Sequence, residues 1–248
     1  MFKQIYEDFL VNENKINQEK RKSNKRKGWF SASSAGSCYK KQWYSINQAE
    51  ETNPPSIDSL AKMRLGTIVH SEFENAMSYI SNKDTGGDYI YYTEHPIKID
   101  DLKVEGTLDM AAHNTVTNQL FVSDLKTIGS YPYKLRFGRD RARNKSKVST
   151  NYELQVCTYA IALSNDLSIP DVFPELLYYN KDTSKIKAVQ IPLSYMDEAM
   201  QYWEDAADII DDLGADFQTV VPNSMIGVPF SGWECNYCNF RDKCYGIT

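Results

Sequence analysis

Val104-Glu105-Gly106-Thr107-Leu108-Asp109, a polar Asn114-Thr115-Val116-Thr117-Asn118, and then Leu120-Phe121-Val122-Ser123-Asp124-Leu125-Lys126-Thr127 decide how this chain is read. Both arms are rich in β-branched and apolar residues, and the polar middle separates them, which predicts a hairpin. Pairing symmetric about the loop sets Asp109 across from Asp124, and directly opposed residues have Cβ atoms only ~5 Å apart. Side chains alternate along a strand, so Asp124 and Lys126 share one face while Leu125 points into the core. Two carboxylates and an ammonium thus converge. Carboxylates this close repel unless a cation neutralises them, and a hard divalent ion such as Mg²⁺ or Mn²⁺ does so well. The lysine then stands where charge on a reacting phosphate would be stabilised. The spacing suggests metal-dependent phosphodiester chemistry, although an Asp-x-Lys on a strand is by itself commonplace and most often a solvated pair.

Outward from the hairpin, strands are expected at Tyr89–Thr93 and Pro96–Ile99, preceded by a long helix from about Asp58 to Asn82. Its buried stripe is expected to be Leu65, Ile68, Val69, Phe73, Ala76, Met77 and Ile80. Gly66 costs that helix about 1 kcal/mol of propensity, which close packing would explain. A second helix covers 151–164 with Leu154, Cys157, Ala160 and Ile161 on one stripe. A strand pair follows at Glu175–Tyr179 and Lys185–Leu193, then an acidic helix over Tyr195–Leu213. Upstream, Phe2, Ile5, Phe9 and Leu10 mark a short amphipathic helix over 2–12. An extended basic segment at 15–27 comes next, then a helix over Tyr39–Ile46. The excursion from Ser130 to Thr150 reads as a flexible, substrate-contacting loop. Helices alternating with antiparallel strands imply a mixed α/β domain around a modest central sheet. The expected divisions are an N-terminal segment (1–57), a core (58–213) and a cysteine-rich C-terminal segment (214–248).

At 248 residues the chain can bury a full core. It shows no apolar run long enough for a membrane span and no secretory h-region, so an intracellular, cytoplasmic location is expected. The net charge of −5 is unevenly spread. Lys22, Lys25 and Arg26 belong to one basic cluster and Arg139, Arg141 and Arg143 to another, while Asp197–Asp216 carries no Lys or Arg. Local patches, not the total, govern phosphate binding. Trp29, Phe30, Tyr131 and Tyr133 are candidates to stack bases, at ~1–3 kcal/mol each.

The five cysteines are an odd number, which argues against a disulfide framework. Cys235-x-x-Cys238 and Cys244 leave one ligand missing from a four-coordinate site. Cys38 is the candidate fourth, because Cys157 falls within a helical apolar stripe. Four thiolates suit zinc or an iron–sulfur cluster. On the long helix, Gly66-x-x-x-His70 sets an imidazole beside the apolar stripe. On the second helix Gln155 and Tyr159 are i,i+4 neighbours on a face distinct from the apolar one.

Taken in order, Ser31-x-Ser33 leading to Cys38, Gly66-x-x-x-His70, Gly106-x-x-Asp109, Asp124-x-Lys126 and Gln155-x-x-x-Tyr159 resemble the RecB-like branch of the PD-(D/E)XK nucleases. The split cysteines resemble its iron–sulfur subgroup. That subgroup includes CRISPR-adaptation nucleases, AddB-type helicase–nucleases and a eukaryotic replication helicase–nuclease. The chain has no Walker motif, so it looks like the stand-alone CRISPR-associated exonucleases. The resemblance implies a restriction-endonuclease-like core with an iron–sulfur subdomain joining the N- and C-terminal segments.

It also implies roles. His70, Asp109, Asp124 and the Leu125 carbonyl would hold Mg²⁺ or Mn²⁺. Lys126 would orient the attacking water or stabilise the phosphorane, and Gln155 and Tyr159 would support it. Cys38, Cys235, Cys238 and Cys244 would hold a [4Fe-4S] cluster. The implied activity is a metal-dependent DNA exonuclease, preferring single strands and running 5′→3′. Its partners would be DNA and the proteins of CRISPR adaptation, recombination or phage replication. Two alternatives stay open: a structure-specific endonuclease of the same fold, and an inactive iron–sulfur or zinc DNA-binding adaptor.

Overall fold

The computed structural model describes residues 1–24, 28–83, 86–143, 148–213 and 232–246. In chain order the elements are α1 (Phe2–Asn24), β1 (Phe30–Ser31), α2 (Tyr39–Ile46), α3 (Ile57–Lys83), β2 (Tyr89–Ile99), β3 (Val104–Asn114) and β4 (Gln119–Ile128). There follow α4 (Ser130–Phe137), α5 (Asn151–Leu167), β5 (Val172–Asn180), β6 (Lys185–Gln190), α6 (Ser194–Leu213) and α7 (Arg241–Tyr245).

The hairpin is β3–β4, paired from Met110↔Ser123 to Asn114↔Gln119. Its turn is held by the Asn114 side chain, whose Oδ1 accepts from the amides of Val116 and Thr117 at 3.0 Å each. Asn118 takes the left-handed conformation (φ 54°), which asparagine tolerates. β2 lines the other edge of β3 along its whole length, from Tyr89↔Asn114 to Ile99↔Val104. The two short strands expected at 89–93 and 96–99 are therefore one strand, with a backbone irregularity at Glu94 between them (φ 45°).

β4 pairs in parallel with β5, from Leu120↔Val172 to Ile128↔Asn180. Parallel neighbours need a long crossover, and α4 and α5 supply it. β6 closes one edge, antiparallel to β5. At the other side β1 joins in parallel, Phe30 opposite Val104 and Ser31 opposite Glu105. The result is a mixed six-stranded sheet, β1-β3-β4-β5-β6 with β2 also on β3, flanked by helices.

Every residue of α5 from Leu154 to Leu163 is buried, because the helix touches β2–β5 and also α6. Its Gln155–Tyr159 face, distinct from the apolar stripe, is thus as enclosed as that stripe. On α6, Ala199, Tyr202, Trp203, Ala206 and Ile210 repeat at helical spacing and are buried. Trp203 Nε1 donates to Thr158 Oγ1 at 2.9 Å, fixing α6 on α5. Residues 30–46 belong to the same core: Phe30 packs on Trp203 (5.5 Å between ring centroids) and Tyr39 on Tyr202 (5.5 Å). No helix among the described residues is long and apolar enough to cross a membrane.

Three expectations need correction. The amphipathic helix at 2–12 continues to Asn24, so residues 15–24 of the basic segment are helical. Of its apolar set only Leu10 is buried. The excursion after Ser130 begins as helix α4, not as a loop. On α3 the stripe is rotated: Leu65 and Ile68 are 41% and 55% exposed, and the sheet meets buried Gly66 instead. A Cβ at Gly66 would stand 3.0 Å from Thr127 Oγ1 on β4, the close approach expected of that glycine.

Candidate active site

The β3–β4 ladder stops at Met110↔Ser123, one step short of the pair Asp109 and Asp124. β4 runs on beside β5, while β3 turns towards β1. The two strands fork at the level of the acids. Gly106 is what admits this: a Cβ there would be 2.9 Å from Ala32 Cβ and 3.4 Å from Tyr159 Cε1. With no Cβ, the turn after β1 and a ring from α5 both approach the strand.

Beyond the fork, Leu125 N has no β3 carbonyl to meet. It donates to Asp109 Oδ2 at 2.8 Å, a side chain standing in for the ladder. The same oxygen lies 3.5 Å from His70 Nδ1. His70 sits one turn after Gly66 on α3, so the close packing at that glycine brings the imidazole to the fork. The hydrogen bond with Asp109 is the main reason the His70 pKa rises above 6.5, against the opposing effect of partial burial.

Asp124 is 1% exposed. Its Oδ1 accepts from Gln155 Nε2 at 3.1 Å. Its Oδ2 stands 2.7 Å from Lys126 Nζ, yet receives no hydrogen bond of ordinary geometry. Burial pushes the Asp124 pKa up to about 6; Lys126 pulls it down and Asp109 adds to the rise. The ammonium does not fully offset the enclosure.

Gln155 ties the group together. Its Oε1 accepts from Lys126 Nζ at 2.9 Å, and its Nε2 donates both to Asp124 and to Tyr159 OH (2.8 Å). Only one orientation of the amide satisfies an ammonium on one side and a carboxylate on the other. Burial drives the Tyr159 pKa far upward, so the phenol stays protonated. Lys126 Nζ also lies 4.9 Å from the centre of the Tyr152 ring. Tyr152 was not singled out in the sequence; its spacing three residues before Gln155 was the available signal. Arg136 of α4 approaches the same ring (5.3 Å) and pairs with Glu153 at 2.6 Å, which anchors the basic helix beside the lysine.

The structure therefore brings His70 to Asp109, Asp109 to the Leu125 amide, and Asp124, Lys126, Gln155 and Tyr159 into one network. Among the described residues no three His, Cys, Asp or Glu side chains stand close enough to form a closed metal cage. The donor chemistry nonetheless fits a hard divalent ion: two carboxylates stand at the fork, and burial of Asp124 outweighs the charge that Lys126 offers it.

Cys38, Cys235, Cys238 and Cys244 line a cavity of about 40 Å³, together with Lys40 and Tyr44. Cys157 lies apart, buried in α5. Burial raises the Cys38 pKa to about 11, and the thiols of Cys238 and Cys244 push the same way. The tail is also tied by backbone bonds: the amides of Thr52 and Asn53 donate to Asn239 O at 2.9 Å each, and Asp242 N donates to Asn53 Oδ1 at 2.8 Å.

Of the basic residues, Arg139, Arg141 and Arg143 are exposed on the turns after α4. Lys25 and Arg26 lie outside the described residues, as does the side chain of Lys22. Phe30, expected to stack a base, is buried at 3% exposure. Tyr133 packs edge-on against Phe137 at 4.9 Å and is partly buried. Tyr131 is 71% exposed.

The forked sheet thus carries Asp109, Asp124-x-Lys126 and, from α5, Gln155. The chain belongs to the PD-(D/E)XK nuclease superfamily, whose model matches residues 11–245. Among solved structures, the crystal structure of SSO0001 aligns over 100% of both chains with a TM-score of 0.55 and 18% identity, a likeness of fold. A candidate exonuclease from Eubacterium rectale aligns over 85% of this chain and 87% of its own, at 13% identity and a TM-score of 0.49. No curated protein matches the sequence.

Proposed function

We propose that the chain is a metal-dependent DNA exonuclease that prefers single strands and runs 5′→3′. The observation that carries the nuclease reading is Asp124. It is buried, its Oδ2 is ion-paired with Lys126 Nζ at 2.7 Å, and it stands at the point where β3 and β4 part. Strand preference and polarity follow from the resemblance to the RecB-like nucleases.

His70, Asp109, Asp124 and the Leu125 carbonyl would hold Mg²⁺ or Mn²⁺. Such an ion supplies a water of lowered pKa and polarises the phosphoryl oxygens. Lys126 holds a proton and a positive charge at Nζ, close to where the phosphorane's charge develops. Gln155 aims that ammonium through Oε1, and Tyr159 fixes the amide from behind. Arg139, Arg141 and Arg143 would track phosphates, along with Lys22, Lys25 and Arg26. Cys38, Cys235, Cys238 and Cys244 would hold a [4Fe-4S] cluster; their shared cavity and mutual electrostatic influence support a common ligand.

The test uses 5′- and 3′-labelled single strands, linear and circular, with and without Mn²⁺. The expected result is Mn²⁺-dependent release from 5′ ends and no attack on circles. Cutting of circular single strands would move the assignment to the endonuclease. Binding without cleavage under every condition would move it to the adaptor.

A further inference from the structure

Tyr152 stands in the first turn of α5 and is half-buried. With Gln155 and Tyr159 it falls at i, i+3 and i+7, so one face of the helix carries a ring, an amide and a phenol. The amide and the phenol have partners in the network of the fork, and the ring has one too. The Lys126 ammonium stands 4.9 Å from its centre. The two oxygens that Lys126 Nζ meets, Gln155 Oε1 at 2.9 Å and Asp124 Oδ2 at 2.7 Å, belong to side chains hydrogen-bonded to each other. Lysine carries its charge on a flexible stem, with three donors and no fixed plane, so contacts from one side leave it room to swing.

The ring itself is held firmly. Arg136 Cζ lies 5.3 Å from its centre and 5.2 Å from the centre of the Tyr178 ring. That guanidinium is fixed in turn, because Nη1 meets Glu153 Oε1 at 2.6 Å and Nη2 donates to Ser149 O at 2.8 Å. Tyr178 is buried and pairs with Lys126 across the β4–β5 ladder, its ring centre 6.5 Å from that of Tyr152. Tyr152 is cornered between an anchored cation, a buried ring and the lysine of the fork.

A ring offers an ammonium something an oxygen does not. The quadrupole of the ring attracts the charge to its face without supplying an acceptor atom. A third oxygen in that place would compete with a phosphate for the same protons. We propose that Tyr152 is a positioning residue for cleavage: its ring holds the Lys126 ammonium in place while leaving donor capacity for the phosphate. The role rests on the nuclease reading of Lys126; the contact does not. An aromatic residue in the first turn of a helix is ordinary packing, which is why the sequence concealed it.

The test separates the electronics of the ring from its shape. Tyr152→Leu should lower kcat on a labelled single strand about tenfold with KM unchanged, the scale of a partly desolvated cation–π contact. Tyr152→Phe keeps the ring face and should recover most of that loss. Tyr152→pentafluorophenylalanine keeps the shape but drains the face of negative charge. It should match the leucine variant in kcat while melting with Tyr152→Phe, and these two aromatic variants decide the matter if the leucine variant fails to fold. A fluorinated variant as active as Tyr152→Phe would make Tyr152 a packing residue and overturn the proposal.

A second measurement needs no cleavage. In the full chain labelled with ¹³C at lysine Cε, the Lys126 methylene, identified by its loss in Lys126→Ala, should resonate upfield through the ring current. In Tyr152→Leu it should return to the ordinary lysine position. An ordinary position in the unaltered chain removes the contact and the proposal, and leaves the nuclease reading standing. An upfield signal in an unaltered chain that cleaves under no condition overturns the nuclease reading, and the role of Tyr152 in cleavage falls with it.

Discussion

The fork and the thiol cavity are both clusters of titratable side chains, but they are held in opposite ways. At the fork the partners come from adjacent strands, from His70 of α3 and from one turn of α5. Almost every polar atom is answered inside the protein, by Leu125 N, Gln155 or Lys126. The thiols come from both ends of the chain, and burial pushes Cys38, Cys238 and Cys244 towards the neutral form instead of pairing them. The first cluster is organised by the sheet before any ion arrives. On the proposed reading the second would be organised by the ligand its thiols share, since thiolate ligation turns binding energy into folding energy.

That difference is sharpest in the effect of losing one thiol. Closing a loop of about 200 residues, from Cys38 to Cys235, restricts the unfolded chain by roughly 5 kcal/mol on the chain-entropy model for disulfides, and a metal clip follows similar logic. Cys238→Ala is therefore expected to lose a comparable amount in denaturant unfolding, and to expose residues 232–246 to protease. Brown colour lost in the same variant identifies iron–sulfur; a colourless protein with stoichiometric zinc identifies zinc. If unfolding is unchanged, the backbone bonds from Thr52 and Asn53 to Asn239 suffice, and the contrast between the two regions fails.

The fork should behave the other way: large in activity, small in folding. Lys126→Ala is expected to lower cleavage about 10³-fold, the scale of removing a group that stabilises transition-state charge. Asp124→Ala should match it. Both should keep the circular dichroism spectrum and DNA binding of the unaltered chain. Metal-dependent cleavage persisting in both variants would remove the fork from the chemistry altogether.

What the sequence revealed follows the same division. The hairpin was legible because its arms alternate around an Asn-rich turn, and so was its register; the expected pairing of Asp109 with Asp124 was not met, because the ladder ends one step earlier at Met110↔Ser123. The fork itself was not legible. It depends on Gly106 meeting Ala32 and Tyr159, contacts between segments far apart in sequence. The α3 stripe went wrong for a related reason. Apolar periodicity marks Leu65 and Ile68, but a helix that must approach the sheet to deliver His70 turns its smallest residue inward. The basic run at 15–24 was read as extended because charge was weighed without its neighbours; it continues α1, a helix that touches α3. Phe30 looked available for stacking until α6 brought Trp203 over it.

A smaller effect tests whether the fork holds its charge at a cost. Asp124 has a folded pKa of about 6 against an ordinary 3.8, raised by burial more than Lys126 lowers it. Between those values the folded state binds the proton that the unfolded state has released. Unfolding free energy therefore falls as pH rises from about 4 to 6, by roughly 3 kcal/mol in all, and stays at that lower level above. His70 adds a slope of the same sign at higher pH, because its raised pKa favours the folded state at low pH and that benefit is lost as pH climbs through the folded value. Comparing the unaltered chain with Asp124→Asn at each pH largely cancels the His70 contribution. The metal-free variant is expected to gain on the unaltered chain by roughly 3 kcal/mol between pH 4 and pH 7. Adding Mn²⁺ should close most of that gap, since a divalent ion stabilises the ionised carboxylate in place. A difference flat with pH would mean that Lys126 alone carries the charge of Asp124 without penalty. The fork would then be a finished ion pair with no unmet demand for a metal.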